Sequence, residues 1–167
     1  DLGKSINLDA FEPMVKISVE NKINQFIYAS SSSVYGIKKE KNVTEDMSLE
    51  PLTDYSKFKG DCEKILNNYS SEDFITTTIR PSTVCGYAKR QRLDLVVNIL
   101  TNHAFHNREI KVFGGDQLRP NVHISDMVGV YLHFLDKGDA IQGIYNAGFE
   151  NISILEIAER ASAKIKS

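Results

Sequence analysis

The chain has 167 residues, which is enough for one domain with a substantial core but small for an enzyme. Its 20 basic and 22 acidic residues nearly cancel, so it lacks the charge of a typical nucleic-acid-binding protein. No apolar run reaches the roughly 18 residues of a membrane span, no secretory signal is visible, and Cys62 and Cys85 lack metal-ligand spacing. We therefore expect a cytoplasmic protein with no membrane or nucleic-acid partner.

Helical and strand patterns alternate along the first half of the chain, with turn signals between them. These patterns predict a helix over about 6–21 that is kinked or starts late at Pro13, a buried strand at 26–29, a polar loop over 36–52, and a helix from an N-cap at Thr53 or Asp54 to about Tyr69.

The same alternation continues through the second half. It predicts a strand at 74–79 that ends at Arg80-Pro81, a helix around 93–100, a strand at 110–113, a strand at 122–124, a helix capped by Ser125, a strand at 144–145, and a helix capped by Ser153. Strands that alternate with helices favour an α/β fold with a mainly parallel sheet.

Tyr55 and Lys59 are the first candidates for chemistry. In a helix they are i and i+4 and share a face. An ammonium close to a phenol favours the phenolate and lowers the phenol's pKa, which makes such a pair suitable for proton transfer near neutral pH. The alternative is an ordinary surface pair, because this spacing is common by chance.

Four serines, residues 30–33, directly follow the predicted strand at 26–29. The carboxyl ends of parallel strands are where α/β sheets bind ligands, and a hydroxyl there can hydrogen bond a substrate oxygen as charge develops on it. Tyr55 begins the next helix, far enough along the chain for a return to the same sheet edge. The alternative is a solvated serine-rich turn.

Six segments in order, each weak alone, together resemble the extended short-chain dehydrogenases/reductases, specifically their NAD-dependent nucleotide-sugar epimerase/dehydratase group. The resemblance runs from about Asn7 to about Glu159. The segments are NLDAF from Asn7, FIYASSSSVYG at 26–36, DYSKFK at 54–59, IRPSTVCG at 79–86, VFGGD at 112–116 with RPNVHISD at 119–126, and YNAG at 145–148.

The resemblance implies a role for each candidate site residue. The catalytic residues would be Ser31, Tyr55 as acid and base, and Lys59, which would also hold the nicotinamide ribose. The cofactor would be NAD, with NADP as the alternative, and Ser30 and Pro81 would contact it together with Tyr55 and Lys59. The substrate would be bound by Ser31, Thr83, Arg92, Asn98 and Arg119, with the arginine fork of Arg119 on the diphosphate. No metal site is implied.

The implied fold class is α/β: a partial Rossmann-like doubly wound parallel sheet with part of a smaller C-terminal substrate-binding region. Residues 1–86 would form the C-terminal part of the dinucleotide-binding domain and carry the catalytic residues. Residues 87–167 would form a mixed substrate-binding region with returning Rossmann elements. A homodimer is a further expectation from the resemblance.

The implied activity is NAD(P)-dependent oxidoreduction at a sugar carbon of a nucleotide-sugar substrate, with epimerisation through a transient keto-sugar as the leading expectation. The alternatives are an NADPH-dependent keto-sugar reductase and a non-catalytic nucleotide-sugar-binding protein on the same fold. The complete set of Ser31, Tyr55 and Lys59 favours an enzyme, because a binding protein does not need all three.

Some positions depart from the family's pattern. Ser32 and Ser33 stand where the dehydratases carry acidic residues, which disfavours 4,6-dehydratase chemistry. Thr83 and Cys85 stand where an asparagine and a tyrosine are common, in the segment that the resemblance places beside the nicotinamide. No G-x-x-G-x-x-G turn occurs in the 167 residues, and the first residue is Asp1. We therefore expect a piece of a longer enzyme that binds NAD weakly by itself, because that turn normally holds the pyrophosphate.

Overall fold

A computed structural model describes residues 2–40, 42–137 and 141–166. The helices are α1 (Leu2–Lys4), α2 (Phe11–Glu20), α3 (Asp54–Tyr69), α4 (Val96–Asn107), α5 (Ile124–Lys137) and α6 (Ile154–Lys166). The strands are β1 (Gln25–Ala29), β2 (Ile75–Pro81), β3 (Thr83–Cys85), β4 (Leu118–His123), β5 (Gly143–Ala147) and β6 (Glu150–Ser153). A π-helical turn covers Ser5–Asp9 and a 3-10 turn covers Ser32–Tyr35.

The chain divides into two compact units. Unit 1 contains residues up to Pro81 together with Val130–Ala147, and unit 2 contains Ser82–Gly129 together with the residues from Gly148 onward. The domain boundary at residue 86 that the sequence analysis expects stays a prediction.

Unit 1 is built on a parallel sheet in the order β1-β2-β5. The central strand β2 is buried along almost its whole length, which suits its run of β-branched residues. This confirms the predicted α/β class with a parallel sheet. The strand runs two residues beyond the predicted end, because Pro81 still pairs with Ala147 and the Arg80 side chain is buried.

The core of unit 1 lies between the sheet and the two helices α2 and α3. Its members are apolar residues that recur at helical spacing in α2 and α3, together with one residue of β1 and the residue just before β2. They are Phe11, Val15, Tyr28, Cys62, Leu66 and Phe74. This packing fixes α3 against the end of the sheet, which matters for the site.

Helix α3 has the predicted bounds. Thr53 is the N-cap, and its side chain accepts from the backbone N–H of Ser56 while the Ser56 hydroxyl accepts from the backbone N–H of Thr53. This reciprocal capping satisfies two donors that the first helical turn leaves unpaired. Tyr55 is therefore held in a well-defined first turn.

The predicted helix over 6–21 is interrupted. A proline ring in a helix clashes with the carbonyl four residues earlier, which for Pro13 is that of Asp9. The structure has its break at that point: the π-helical turn ends at Asp9 and α2 begins at Phe11. The late start expected from Pro13 is confirmed.

Unit 2 contains a small mixed sheet in the order β3-β4-β6, with β3 parallel and β6 antiparallel to β4. The predicted strand at 110–113 is wrong. Arg108 ends α4 in the left-handed conformation, and Ile110 and Val112 then pack against the cluster formed by Leu100, Ile157 and Ala158. Their apolar character reflects this packing rather than a place in a sheet.

Other predictions for unit 2 differ in extent. The predicted strand at 122–124 corresponds to the end of the longer β4. Strands β3 and β6 were not predicted, because both are short and contain apolar and polar residues together. The helix capped by Ser153 is confirmed, since the Ser153 hydroxyl accepts from the backbone N–H of Glu156 at 3.1 Å. The predicted cap at Ser125 is wrong, because α5 already begins at Ile124. Among the described residues, no helix combines the length and apolarity required to cross a membrane.

Candidate active site

Ser31 lies just beyond the carboxyl end of β1. Its backbone is extended and it caps the 3-10 turn Ser32–Tyr35. Its hydroxyl accepts from the backbone N–H of Ser33 at 3.2 Å and shares a hydrogen bond with the Ser33 hydroxyl at 2.9 Å. The turn thus fixes the orientation of the Ser31 hydroxyl, which is half-buried at the edge where α/β sheets bind ligands.

Tyr55 and Lys59 lie on one face of α3, as their spacing predicts. The Lys59 ammonium is 5.7 Å from the ring centroid of Tyr55 and 5.0 Å from that of Tyr28. The Tyr55 side chain is 50% exposed. A phenol in this position is accessible to a ligand while a cation lies close to its ring.

Lys59 also connects α3 to the end of β1. Its Nζ donates to the carbonyl oxygen of Ala29 at 2.7 Å. Burial lowers the pKa of the Lys59 ammonium from its ordinary value. An ammonium has three donors, so Lys59 can serve two further acceptors besides Ala29.

The predicted cofactor contacts Ser30 and Pro81 lie at the ends of neighbouring strands. Ser30 is buried, and its hydroxyl donates to the carboxylate of Glu63 on α3. Its backbone N–H donates to the carbonyl of Ile79 at 2.8 Å, which extends the β1–β2 pairing by one residue. Pro81 is half-buried at the end of β2. Their contacts with a cofactor stay predictions.

A buried polar network joins these elements, and the sequence analysis missed it. Arg80 donates from Nε to Glu63 Oε1 at 3.0 Å and from Nη2 to Glu63 Oε2 at 2.6 Å. Its Nη1 donates to the Tyr35 hydroxyl at 2.6 Å. Tyr35 in turn donates to Oδ1 of Asn146 on β5 at 2.7 Å.

The charges at the centre of this network form a buried ion pair between Glu63 and Arg80. Burial alone would lower the pKa of the Arg80 guanidinium, but its hydrogen bonds with Glu63 and Tyr35 outweigh burial and raise it above its ordinary value. The available signal was the position of Glu63, four residues after Lys59 and beside the core residue Cys62. Its partner lies in another element, so periodicity alone could not find the pair.

The four other predicted substrate-binding residues lie in unit 2. Arg92 is exposed and pairs with Asp94, with Nη2 to Oδ2 at 2.6 Å. Asn98 accepts from the backbone N–H of Gly86 at 3.3 Å and donates to the carbonyl of Arg92 at 2.9 Å, so it shapes the loop that carries Arg92. Thr83 begins β3, and Arg119 is exposed on β4. Their substrate contacts stay predictions.

Known proteins resemble this chain over nearly its whole length. Residues 4–148 match the NAD dependent epimerase/dehydratase family. A Bacillus subtilis protein described as an uncharacterized UDP-glucose epimerase, YtcB, is 34% identical over 90% of this chain and 48% of its own. A dTDP-D-glucose 4,6-dehydratase of Bos taurus is 29% identical over 96% of this chain and 45% of its own.

A solved structure agrees with these relatives. The UDP-glucuronic acid 4-epimerase from Bacillus cereus in complex with NAD is 28% identical, with a TM-score of 0.82 over 96% of this chain and 53% of its own. The chain spans about half the length of the curated relatives it matches. The family match covers well over half of the chain, and the chain therefore belongs to the NAD-dependent epimerase/dehydratase family, the nucleotide-sugar group of the extended short-chain dehydrogenases/reductases.

Proposed function

We propose that the whole protein to which this chain belongs epimerises a nucleotide sugar, using NAD and a transient keto-sugar. The observation that carries the proposal is the Tyr55–Lys59 pair on α3, because Lys59 approaches the Tyr55 ring and is bound to Ala29, two residues before Ser31. A base, a cation and a hydroxyl donor are thus attached to the same end of β1.

The residues present fit the cofactor. The Lys59 ammonium donates one N–H to Ala29 and has two further N–H donors for ribose hydroxyls. The exposed Tyr55 ring can lie beside a nicotinamide. When bound, NAD supplies the acceptor and the later donor of hydride. Proton transfer and the positioning of the sugar oxygen are carried out by side chains of this chain.

In the forward direction, Tyr55 accepts the proton of the sugar hydroxyl while the carbon loses hydride. Ser31 donates a hydrogen bond to the same oxygen and keeps it in place as its bond order changes. Lys59 keeps a positive charge beside the Tyr55 ring, 5.7 Å from its centroid, throughout the cycle. Tyr55 then returns the proton after the keto-sugar has presented its other face to hydride.

The family also contains dehydratases, which makes elimination of water the second candidate. Three of the similar proteins are dTDP-D-glucose 4,6-dehydratases. Elimination requires an acid and a base on the sugar besides the Tyr-Lys pair, and Ser32 and Ser33 supply no carboxylate directly after Ser31. This favours epimerisation. A homodimer, a cytoplasmic location and the substrate contacts of Thr83, Arg92, Asn98 and Arg119 stay predictions.

The experiment is to incubate the whole protein with NAD and, separately, UDP-glucose, UDP-glucuronic acid and dTDP-glucose, and to follow the sugars by proton NMR. We expect one epimer to form, with deuterium on the epimerised carbon retained because the hydride that leaves also returns. Tyr55→Phe should lose at least about a hundredfold in rate while nucleotide-sugar binding persists. A deoxy keto-sugar product, or unchanged rates in Tyr55→Phe, would overturn the proposal.

A further inference from the structure

A buried ion pair between Glu63 and Arg80 lies next to the proposed site but takes no part in its proton transfers. The two side chains are only 4% and 3% exposed. Both Glu63 oxygens accept from Arg80, and one also accepts from Ser30. The remaining Arg80 nitrogen donates to Tyr35 and to the backbone carbonyl of Glu45.

Stability alone is a weak reason for such a pair. Removing two charges from water costs about as much free energy as their attraction returns, and apolar residues of similar volume often stabilise a protein as well. What the pair supplies is a rigid set of directed hydrogen bonds between elements. Its contacts therefore indicate what it positions.

On the sheet side, the pair binds both ends of the segment that carries Ser31. Ser30, directly before it, donates to Glu63. Tyr35, the last residue of the 3-10 turn that follows, accepts from Arg80, and the guanidinium also lies 4.8 Å from the Tyr35 ring centroid. The position of the Ser31 hydroxyl between these two anchors is thus set by Glu63 and Arg80.

On the helix side, Glu63 lies one turn after Lys59 and two turns after Tyr55 on α3. Lys59 is bound to Ala29 and Glu63 to Ser30, so consecutive turns of the helix are bound to consecutive residues of the chain leaving β1. These two hydrogen bonds fix the position of α3, along its own axis, relative to the end of β1. They also fix the register between Tyr55 and Ser31.

We propose that Glu63 and Arg80 are positioning residues for the reaction: they hold the Ser31 segment and α3 in the one register in which the serine hydroxyl, the phenol and the ammonium act together. This inference rests on the proposed function for its catalytic consequence. Its structural consequence, a rigid Ser31 segment, can be measured without any turnover.

The most specific test is Ser30→Ala in the whole protein, because it removes the link to the serine segment and leaves the ion pair intact. Glu63→Gln is the second variant, and Thr76→Val is the matched control. Thr76 is buried on β2 and its hydroxyl bonds to Ser70 at 2.9 Å, so the control also removes one buried hydroxyl from unit 1. Three quantities are measured: amide hydrogen exchange over residues 30–36, kcat with UDP-glucose or UDP-glucuronic acid, and the NAD dissociation constant.

We expect exchange over residues 30–36 to quicken about tenfold in Ser30→Ala, where Val34 and Gly36 donate to Ser31 and Ser33. We expect kcat to fall about ten- to a hundredfold in Ser30→Ala and Glu63→Gln, with the NAD dissociation constant within twofold of the wild type in Glu63→Gln, whose altered residue is not among the predicted cofactor contacts. Glu63→Gln should show the same pattern more strongly, and Thr76→Val should show neither change.

Unchanged exchange over residues 30–36 in Ser30→Ala would overturn the inference whether or not turnover is seen. A weaker NAD affinity with unchanged kcat would also overturn it, since Ser30 would then act as a direct cofactor contact. A different result would mark failure of the proposed function: Tyr55→Phe would retain full turnover, or no sugar would react. The exchange measurement would still decide the role of Glu63 and Arg80 in that case.

Discussion

The two units hold their candidate functional side chains in contrasting ways. In unit 1, Ser30 and Tyr35 on either side of Ser31 are hydrogen-bonded to the Glu63–Arg80 pair, which is almost fully shielded from water. In unit 2 the predicted substrate residue Arg92 and its partner Asp94 are 66% and 64% exposed. Hydrogen bonds that depend on a fixed geometry are shielded from water in unit 1, whereas Arg92 and Arg119, two of the residues predicted for substrate recognition, are exposed, where changes cost little stability.

The largest effect should come from breaking the buried pair on one side. Glu63→Leu leaves the Arg80 guanidinium buried without its carboxylate and should lower the free energy of unfolding by about 3–5 kcal/mol. The double variant Glu63→Leu/Arg80→Met should recover most of this loss, because no charge is then buried. Urea denaturation of the whole protein measures both, and a double variant no more stable than the single one would show that the pair itself supplies the stability.

Glycine substitutions at two positions sharpen the contrast between the units. Gly36 in unit 1 has φ +71°, and an added Cβ would overlap the backbone carbonyl of Glu50. Gly114 in unit 2 has φ +60° with open space around it. Gly36→Ala should therefore cost about 2–4 kcal/mol and Gly114→Ala only about 1 kcal/mol, the cost of the left-handed conformation alone. Equal urea midpoints for the two variants would contradict this account of the turn after Ser31.

The half-buried Lys59 should give unit 1 a pH dependence of stability. Its pKa is lowered in the folded protein by burial, so the unfolded chain binds the proton more readily and stability rises as pH rises from the folded toward the unfolded pKa. Lys59→Met should abolish this part of the rise in the free energy of unfolding between neutral and alkaline pH. Lys57→Met, at an exposed position of the same helix that pairs with Asp54, should keep it. Parallel curves for the wild type and Lys59→Met would contradict the prediction.

The sequence predicts local features of the site well and its non-local support poorly. Helix α3 and the shared face of Tyr55 and Lys59 follow from a capping residue and an i, i+4 spacing, both of which are short-range. The helical position of Glu63 hints at burial, but the sequence does not identify its partner Arg80, because a separate strand brings that residue to it.

The same limit explains why the predicted strand at 110–113 in unit 2 is wrong. Ile110 and Val112 alternate with polar residues as in a strand, but they are apolar because they cover a cluster shared by α4 and α6. Periodicity reports that a residue is buried and not which partner buries it. A chain segment beside two helices can therefore imitate an edge strand.

The smallest effect on stability should come from the exposed arginine of unit 2. The hydrogen bonds from Arg92 lower the pKa of Asp94, but both groups are solvated and the pair is screened by salt. Arg92→Ala should leave the thermal unfolding midpoint unchanged. If Arg92 binds the nucleotide sugar as the sequence predicts, the same variant should raise the KM for that substrate about tenfold, the loss of one hydrogen bond to a charged group.

Lys111→Ala is the matched control for this last comparison, because Lys111 is also exposed in unit 2 and pairs with Glu109 at 3.9 Å. It should change neither the unfolding midpoint nor the KM. A KM for Arg92→Ala equal to that of Lys111→Ala would remove Arg92 from the substrate-binding set. A large loss of stability in Arg92→Ala alone would instead contradict the contrast between the buried Glu63–Arg80 pair of unit 1 and the exposed Arg92–Asp94 pair of unit 2, since exposed ion pairs contribute little to stability.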